Sequence, residues 1–228
     1  MRSKAFFING GAGRVITSIP AFEKYAETHD DFIIVCEGGM NFYKSHPVLH
    51  KYAYDIWHKG LFEDKIKERD CITPEPYRRW HYYNQKCSIA QAFDMEINGV
   101  DEPRELTRPS IKLAKHEGIQ GLQLVDEAIK VTGRDKVIVV QPFGRGVQDE
   151  GGYIFDPTSR SFNLGDISKI INELKKDYCV IVMSEFPFQT EDGEGKLPFI
   201  LPHIEDIRIW ASIINSCLLY TSPSPRDS

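Results

Sequence analysis

The sequence predicts an α/β protein built as two parallel-sheet lobes, the second of them incomplete. Three observations predict it. A short apolar run, Lys4 to Asn9, ends in the glycine cluster Gly10-Gly11-Ala12-Gly13. A helix-spaced stretch and a second apolar run follow at once. The same succession of elements then begins again at Asp135. Strand, glycine turn, helix and strand make a βαβ unit, which requires a parallel sheet with the helix on its face.

Lys4-Ala-Phe-Phe-Ile-Asn9 reads as a buried strand running into a glycine turn. Arg14 to His29 has helical spacing, with Val15, Ile16, Ile19, Phe22 and Ala26 on one face. Pro20 falls early enough in this helix to be tolerated there. Phe32-Ile-Ile-Val-Cys36 is the next buried strand, closed by Glu37-Gly38-Gly39. From Asn41 to His81 the chain is rich in aromatics and histidines. Trp57, Trp80, Tyr82 and Tyr83 are expected to pack helices and loops, with a sugar or base pocket as the alternative. His46, His50, His58 and His81 share no ligand spacing and are expected at the surface or half-buried.

Ser110 to His116 is short and polar. Gly121 to Thr132 is a helix with Leu122, Leu124, Val125, Ala128 and Ile129 as its apolar side, stopped by Gly133. Asp135 to Gln141 is an apolar strand running into Pro142-Phe-Gly-Arg-Gly146, Asn163 to Lys176 a helix, and Tyr178 to Met183 another buried strand. Both halves are therefore Rossmann-like, with lobes expected at 1–133 and 134–216. Ile204 to Ser216 reads as a helix with Ile204, Ile207, Trp210, Ala211 and Ile214 inward. It should lead into a further strand, but Cys217 to Ser228 instead resembles the translation of a sequencing adapter, and 217–228 is expected to be a non-native tail. A second sheet that stops there exposes a raw edge, so the chain as written is expected to be inactive and prone to aggregate.

The chain of 228 residues is 41% hydrophobic and 27% charged, with net charge -5. A mildly acidic chain has no electrostatic reason to seek nucleic acid. No apolar run approaches the roughly 20 residues of a membrane span, so a cytoplasmic location is expected, with no transmembrane segment. The five cysteines form no C-x-x-C pair, so no metal site is expected.

A glycine turn between strand and helix directs backbone N–H groups and a helix N-terminus at one point, where phosphate or developing negative charge is accepted. Gly11-x-Gly13 is two-thirds of a dinucleotide fingerprint. Ile16 stands at the third glycine, and Glu37 where a ribose-binding carboxylate belongs. An NAD-type oxidoreductase is thus one reading.

More of the chain supports another. Gly13-Arg14-Val15-Ile16-Thr17-Ser18-Ile19-Pro20-Ala21-Phe22 resembles the opening of heptosyltransferase-type enzymes, glycosyltransferase family 9, in which the first strand leads into Gly-Asp-Val-Leu/Ile-x-x-x-Pro-Ala-Leu. Gln141 to Gly146, Arg160-Ser161-Phe162, the helix after it and the strand ending before Glu185 resemble that family's second lobe. The resemblance implies a GT-B architecture, a nucleotide-sugar donor on the second lobe and a glycan or lipid-linked acceptor on the first. No cofactor is implied, because arginines and helix N-termini neutralise the leaving diphosphate. It makes Gly144, Arg145 and Arg160 donor-phosphate candidates, and Glu185 a nucleoside contact. Gly11 and Gly13 shape the first-lobe turn.

The family carries Asp directly after the first-lobe glycine, in the base position, and this chain has Arg14 there. A guanidinium does not act as a base near neutral pH. Another carboxylate such as Glu37 takes that role, or Arg14 binds an anionic group, or the protein is a non-catalytic binder that keeps the fold.

Overall fold

The computed structural model describes residues 2–37, 42–144, 147–150, 153–184, 198–200, 206–217 and 219–221. They form two compact units, 1–114 and 115–228.

In the first unit a four-stranded parallel sheet has the order β3-β2-β1-β4, where β1 is Lys4–Phe7, β2 Phe32–Cys36, β3 Ala53–Asp55 and β4 Asp70–Ile72. β2 is buried at every position, as expected of a central parallel strand covered on both faces. The helix after β1, α1 (Ala12–Ala26), packs over Phe6. Phe6, Phe22, Tyr25, Phe32 and Tyr43 build an edge-to-face aromatic core there, with the Phe6 and Phe22 rings 5.3 Å apart. Such pairs each add about 0.5–1.5 kcal/mol beyond burial. Pro20 lies in the interior of α1, further in than expected, and is buried with Ile19 and Ala21. It removes one helical hydrogen bond. On the opposite face of the sheet, Leu61 and Ile66 close over Ala5, Ile33 and Val35.

Two short helices follow β4: α2 (Trp80–Tyr83), then α3 (Ile89–Asn98), which opens with a Ser88–Gln91 capping box, ends at Gly99 and packs on α1. Asp94 of α3 is fully buried. It accepts two hydrogen bonds from Arg104, at 2.6 and 2.8 Å, and one from Asn98.

The second unit repeats the plan. Its parallel sheet has the order β10-β5-β8-β9, with β5 at Val137–Val140, β8 at Cys179–Val182, β9 at Phe199–Ile200 and β10 at Leu219–Thr221. A two-stranded hairpin, β6 (Gln148–Asp149) and β7 (Ile154–Phe155), lies between β5 and the helix α5 (Leu164–Leu174). Ile167 and Ile171 of α5 cover one face of the sheet. α4 (Lys115–Thr132) and α6 (Ile207–Asn215) cover the other through Val125, Ala128, Ile209 and Ile213.

Several expectations change. The units divide at 114/115 rather than 133/134, because α4 starts earlier than the periodicity suggested and packs on α6 and β8. Its buried row is Glu117, Gly121, Val125, Ala128 and Thr132, while Leu122 is exposed. Glu117 faces inward because Arg208 of α6 meets it with two hydrogen bonds, at 2.5 and 2.8 Å. α6 buries Ile209, Ser212 and Ile213 most deeply; of the face expected inward, Trp210 and Ile214 pack half-buried against the same core, and Ile204 lies outside the described residues. A helix with apolar residues nearly all round does not fix its own phase. Trp57, Trp80 and Tyr83 are exposed, not packing residues. His46 is buried, its Nε2 3.0 Å from Glu23 and its Nδ1 accepting from the Val48 and Leu49 N–H groups. The strand due after α6 is present. Leu219–Thr221 pairs with β5 in parallel, so the backbone enters the sheet within the stretch expected to be tail.

Candidate functional site

In open α/β sheets, ligands bind beyond the carboxyl ends of the strands where the strand order reverses. Each sheet here has one such point. The first lies between β1 and β4 and the second between β5 and β10.

At the first, the chain leaves β1 and turns through Gly10, whose φ of +103° is open to glycine and strained for other residues. Gly11 caps α1 with extended backbone and no side-chain partner, and no acidic residue stands in the first turn. Gly13 lies inside α1 with open space at its Cβ position. Arg14 folds back over Gly10, its Cδ 3.0 Å from where a Cβ would stand. Its Nη2 donates to the Pro74 carbonyl at 2.7 Å and lies 3.5 Å from Glu75 Oε1. The guanidinium also lies over the Tyr77 and Phe93 rings. With its side chain 16% exposed, Arg14 is a clamp between α1 and the loop after β4, not a surface cation. Glu37 stands exposed at the end of β2, one strand away from the reversal point, and makes no hydrogen bond or ion pair among the described residues.

Two acidic groups under this end of the sheet are held neutral. Tyr43 is fully buried against Ser18, and burial raises its phenol well above the ordinary value. Burial, then the charges of Asp55 and Glu37, pushes the Cys36 thiol up to about 12. Cys36 is therefore a core thiol and not a nucleophile.

At the second reversal point, the loop after β5 is organised by Asp156. Its carboxylate accepts from the hydroxyls of Ser161 (2.6 Å) and Thr158 (2.6 Å) and from the backbone N–H groups of Thr158 and Arg160. These hydrogen bonds hold the Asp156 carboxyl well below the usual carboxylate range. The Gly144 N–H donates to Ser161 Oγ at 2.9 Å, and the Phe162 N–H to the Pro142 carbonyl. A Cβ on Gly144 would lie 2.9 Å from the Arg160 Cβ. The structure thus brings Gly144 and Arg160 together. The Arg160 side chain is exposed and makes no hydrogen bond or ion pair among the described residues. Next to it, Asn163 caps α5 by accepting from the Gly165 N–H. Arg145 and Glu185 lie outside the described residues.

Sequence reasoning missed Asp156 and Glu75. Asp156-Pro157-Thr158 carries an Asx-turn signature that points to the first. Nothing local joins Arg14 to a loop 60 positions away. A separate cavity of about 430 Å³ opens beside Phe7, lined by Ile56, His58, Leu61 and Glu63. Among the described residues, no group of three or more His, Cys, Asp or Glu side chains is placed to hold a metal ion, and no helix is long and apolar enough to cross a membrane.

No protein-family model matches the sequence, and no curated protein matches it. Solved structures do match. A glycosyl transferase of family 9 from Veillonella parvula DSM 2008 superposes with TM-score 0.65 at 10% identity, over 96% of this chain and 75% of that one. The ADP-heptose lps heptosyltransferase II of E. coli gives TM-score 0.60 at 10% identity, over 96% and 78%. At this identity the likeness is one of fold: two Rossmann-like α/β lobes, the GT-B fold that these glycosyltransferases share with this chain.

Proposed function

We propose that the protein is a glycosyltransferase that moves a sugar from a nucleotide-sugar donor to a glycan or lipopolysaccharide-type acceptor. The observation that carries this reading is Arg160: an exposed cation with no partner among the described residues, fixed beside Gly144 by the Asp156 network at the carboxyl end of β5. A diphosphate needs such a cation, with backbone N–H groups and a helix N-terminus nearby, and no metal is required for it. Arg145 and Glu185 complete the donor side in this reading. The glycine turn at Gly11 and Gly13 serves the acceptor side.

Calorimetric titration with a panel of nucleoside diphosphates and nucleotide-sugars tests the reading. Saturable binding by the chain, weakened in Arg160→Ala, supports it. No binding of any nucleotide-sugar, or binding indifferent to Arg160, counts against it. NADH titrated in parallel examines the oxidoreductase reading.

A further inference from the structure

We propose that the β6–β7 hairpin is the nucleobase site of the second lobe, with the rings of Tyr153 and Phe155 as the surface on which the donor's base stacks, an inference that rests on the glycosyltransferase reading above. A lone two-stranded hairpin is marginal in water, so this one needs roots. Both of its legs are rooted in the candidate phosphate site. On the incoming leg, the Val147 N–H donates to the Gly144 carbonyl at 3.2 Å. On the outgoing leg, Phe155 is followed directly by Asp156, whose carboxylate accepts from the Arg160 N–H and the Ser161 hydroxyl. A Cβ on Gly144 would stand 3.4 Å from Asp156 Oδ2, so the two legs meet there. Further along, the Glu150 N–H donates to the Tyr153 carbonyl at 3.1 Å and closes the hairpin.

The hairpin is anchored through its aliphatic residues and leaves its rings bare. Val147 and Ile154 are half-buried against the core that holds Ile138, Val140 and Ile171. The large rings on either side of Ile154 stay in solvent: Tyr153 is 65% exposed and Phe155 49%. Neither has an aromatic or cationic partner among the described residues. Other rings of this region are used for packing. Phe143 is buried, and Phe162 and Tyr178 rest half-buried on the same core. Two exposed rings on a backbone held at both legs form a stacking platform with little left to order when a base arrives.

Their place along the chain suits a nucleoside. An extended strand advances about 3.3 Å per residue, so Phe155 stands one step and Tyr153 three steps, about 10 Å of chain, from Asp156. A ribose separates the phosphates of a nucleoside diphosphate from its base. With the phosphates at Arg160 and Gly144, the base is carried towards the hairpin that grows from the same spot. Stacking needs only a π-face, which every base has. The rings therefore supply affinity for a nucleoside over a bare diphosphate.

The test is calorimetry on the full chain with ADP, GDP, UDP, CDP, their glucose conjugates and inorganic pyrophosphate. It compares the wild type with the double variant Tyr153→Ala, Phe155→Ala and with the ring-keeping double variant Tyr153→Phe, Phe155→Tyr. Removing the ring under a stacked base costs about 5- to 150-fold in affinity. The wild type should bind its tightest nucleoside diphosphate at least about fivefold better than pyrophosphate. The alanine variant should lose at least about fivefold for that nucleotide and stay within about twofold for pyrophosphate, while the ring-keeping variant matches the wild type for both. Four results overturn the proposal and leave the glycosyltransferase reading in place. Pyrophosphate bound as tightly as any nucleotide means that no base is held. Unchanged nucleotide affinity in the alanine variant means that the rings do not hold it. Loss of pyrophosphate along with the nucleotide means that the rings only shape the loop. Loss confined to the glucose conjugates gives the rings to the sugar half of the donor. A wild-type chain that binds no nucleotide and no nucleotide-sugar overturns the reading itself, and this proposal with it.

Discussion

The two lobes fold the same way and use their arginines in opposite ways. Each places a central strand, a glycine-bearing loop and a helix beside the point where its strand order reverses. In the first lobe the arginine in the first turn of that helix, Arg14, is tied down by a carbonyl, a carboxylate and two rings. In the second the backbone around the arginine is fixed by Asp156 and the guanidinium is left open to solvent. A cation with its own partners holds a fold, and a cation held only through its backbone is available to a ligand. On that ground Arg14 is expected to matter for stability and Arg160, in the proposed reading, for binding, a division that sequence position alone does not give.

The largest expected effect separates the lobes by stability. Glu117 and Arg208 are buried together, 8% and 15% exposed, and removing one partner of such a pair costs about 3–5 kcal/mol. In Glu117→Ala, hydrogen exchange should accelerate at the amides of β5 and β8 and stay unchanged at those of β1 and β2. Acceleration in both sheets would mean that the lobes do not unfold separately.

The arginines come next. Arg160→Ala should weaken nucleotide-sugar binding roughly 10- to 100-fold, the equivalent of one charge-assisted hydrogen-bonding group, and change the melting midpoint little. Arg14→Leu should instead cost about 1.5–3 kcal/mol in denaturant unfolding. Equal losses of stability in the two variants would erase the contrast.

The glycines make a smaller test. Gly144→Ala forces a Cβ against Arg160 and should destabilise by about 1–3 kcal/mol. Gly13→Ala meets open space at ordinary helical backbone and should stabilise by about 0.4–1 kcal/mol. Thermal unfolding of the two variants reads the opposite signs directly.

The last effect is alkaline. A thiol whose folded value is about 12 against an ordinary 9.0 favours the folded state until the unfolded chain begins to ionise. That contribution is complete below pH 9 and is lost as pH rises from 9 towards 12, at about 1 kcal/mol per pH unit. Denaturant unfolding at pH 9 and pH 10 should show the loss in the wild type and less of it in Cys36→Ala.

The βαβ plan of both lobes was legible because apolar runs bounded by glycines give strands of fixed type. The resemblance named Gly144 and Arg160 as candidates for one phosphate site, and the fold sets them side by side. What stayed hidden depends on distant partners. The segment before Trp80 carries β3 and β4 as strands of three residues each, too short to show a period. α4 buries a glutamate because an arginine on α6 meets it, which no window of local sequence contains. Glu75 gains its meaning only from Arg14, which belongs to another element.

One pairing has a kinetic consequence. β5 finds β8 across one hairpin and one helix, but its other neighbour, β10, arrives after β8, β9 and α6. Closing the longer loop carries the larger entropic cost, which contacts must repay before the strand is held. The seam between β5 and β10 is thus the late-forming and first-opening line of the second sheet. The loop that Asp156 organises leaves β5 at its carboxyl end, beside that seam.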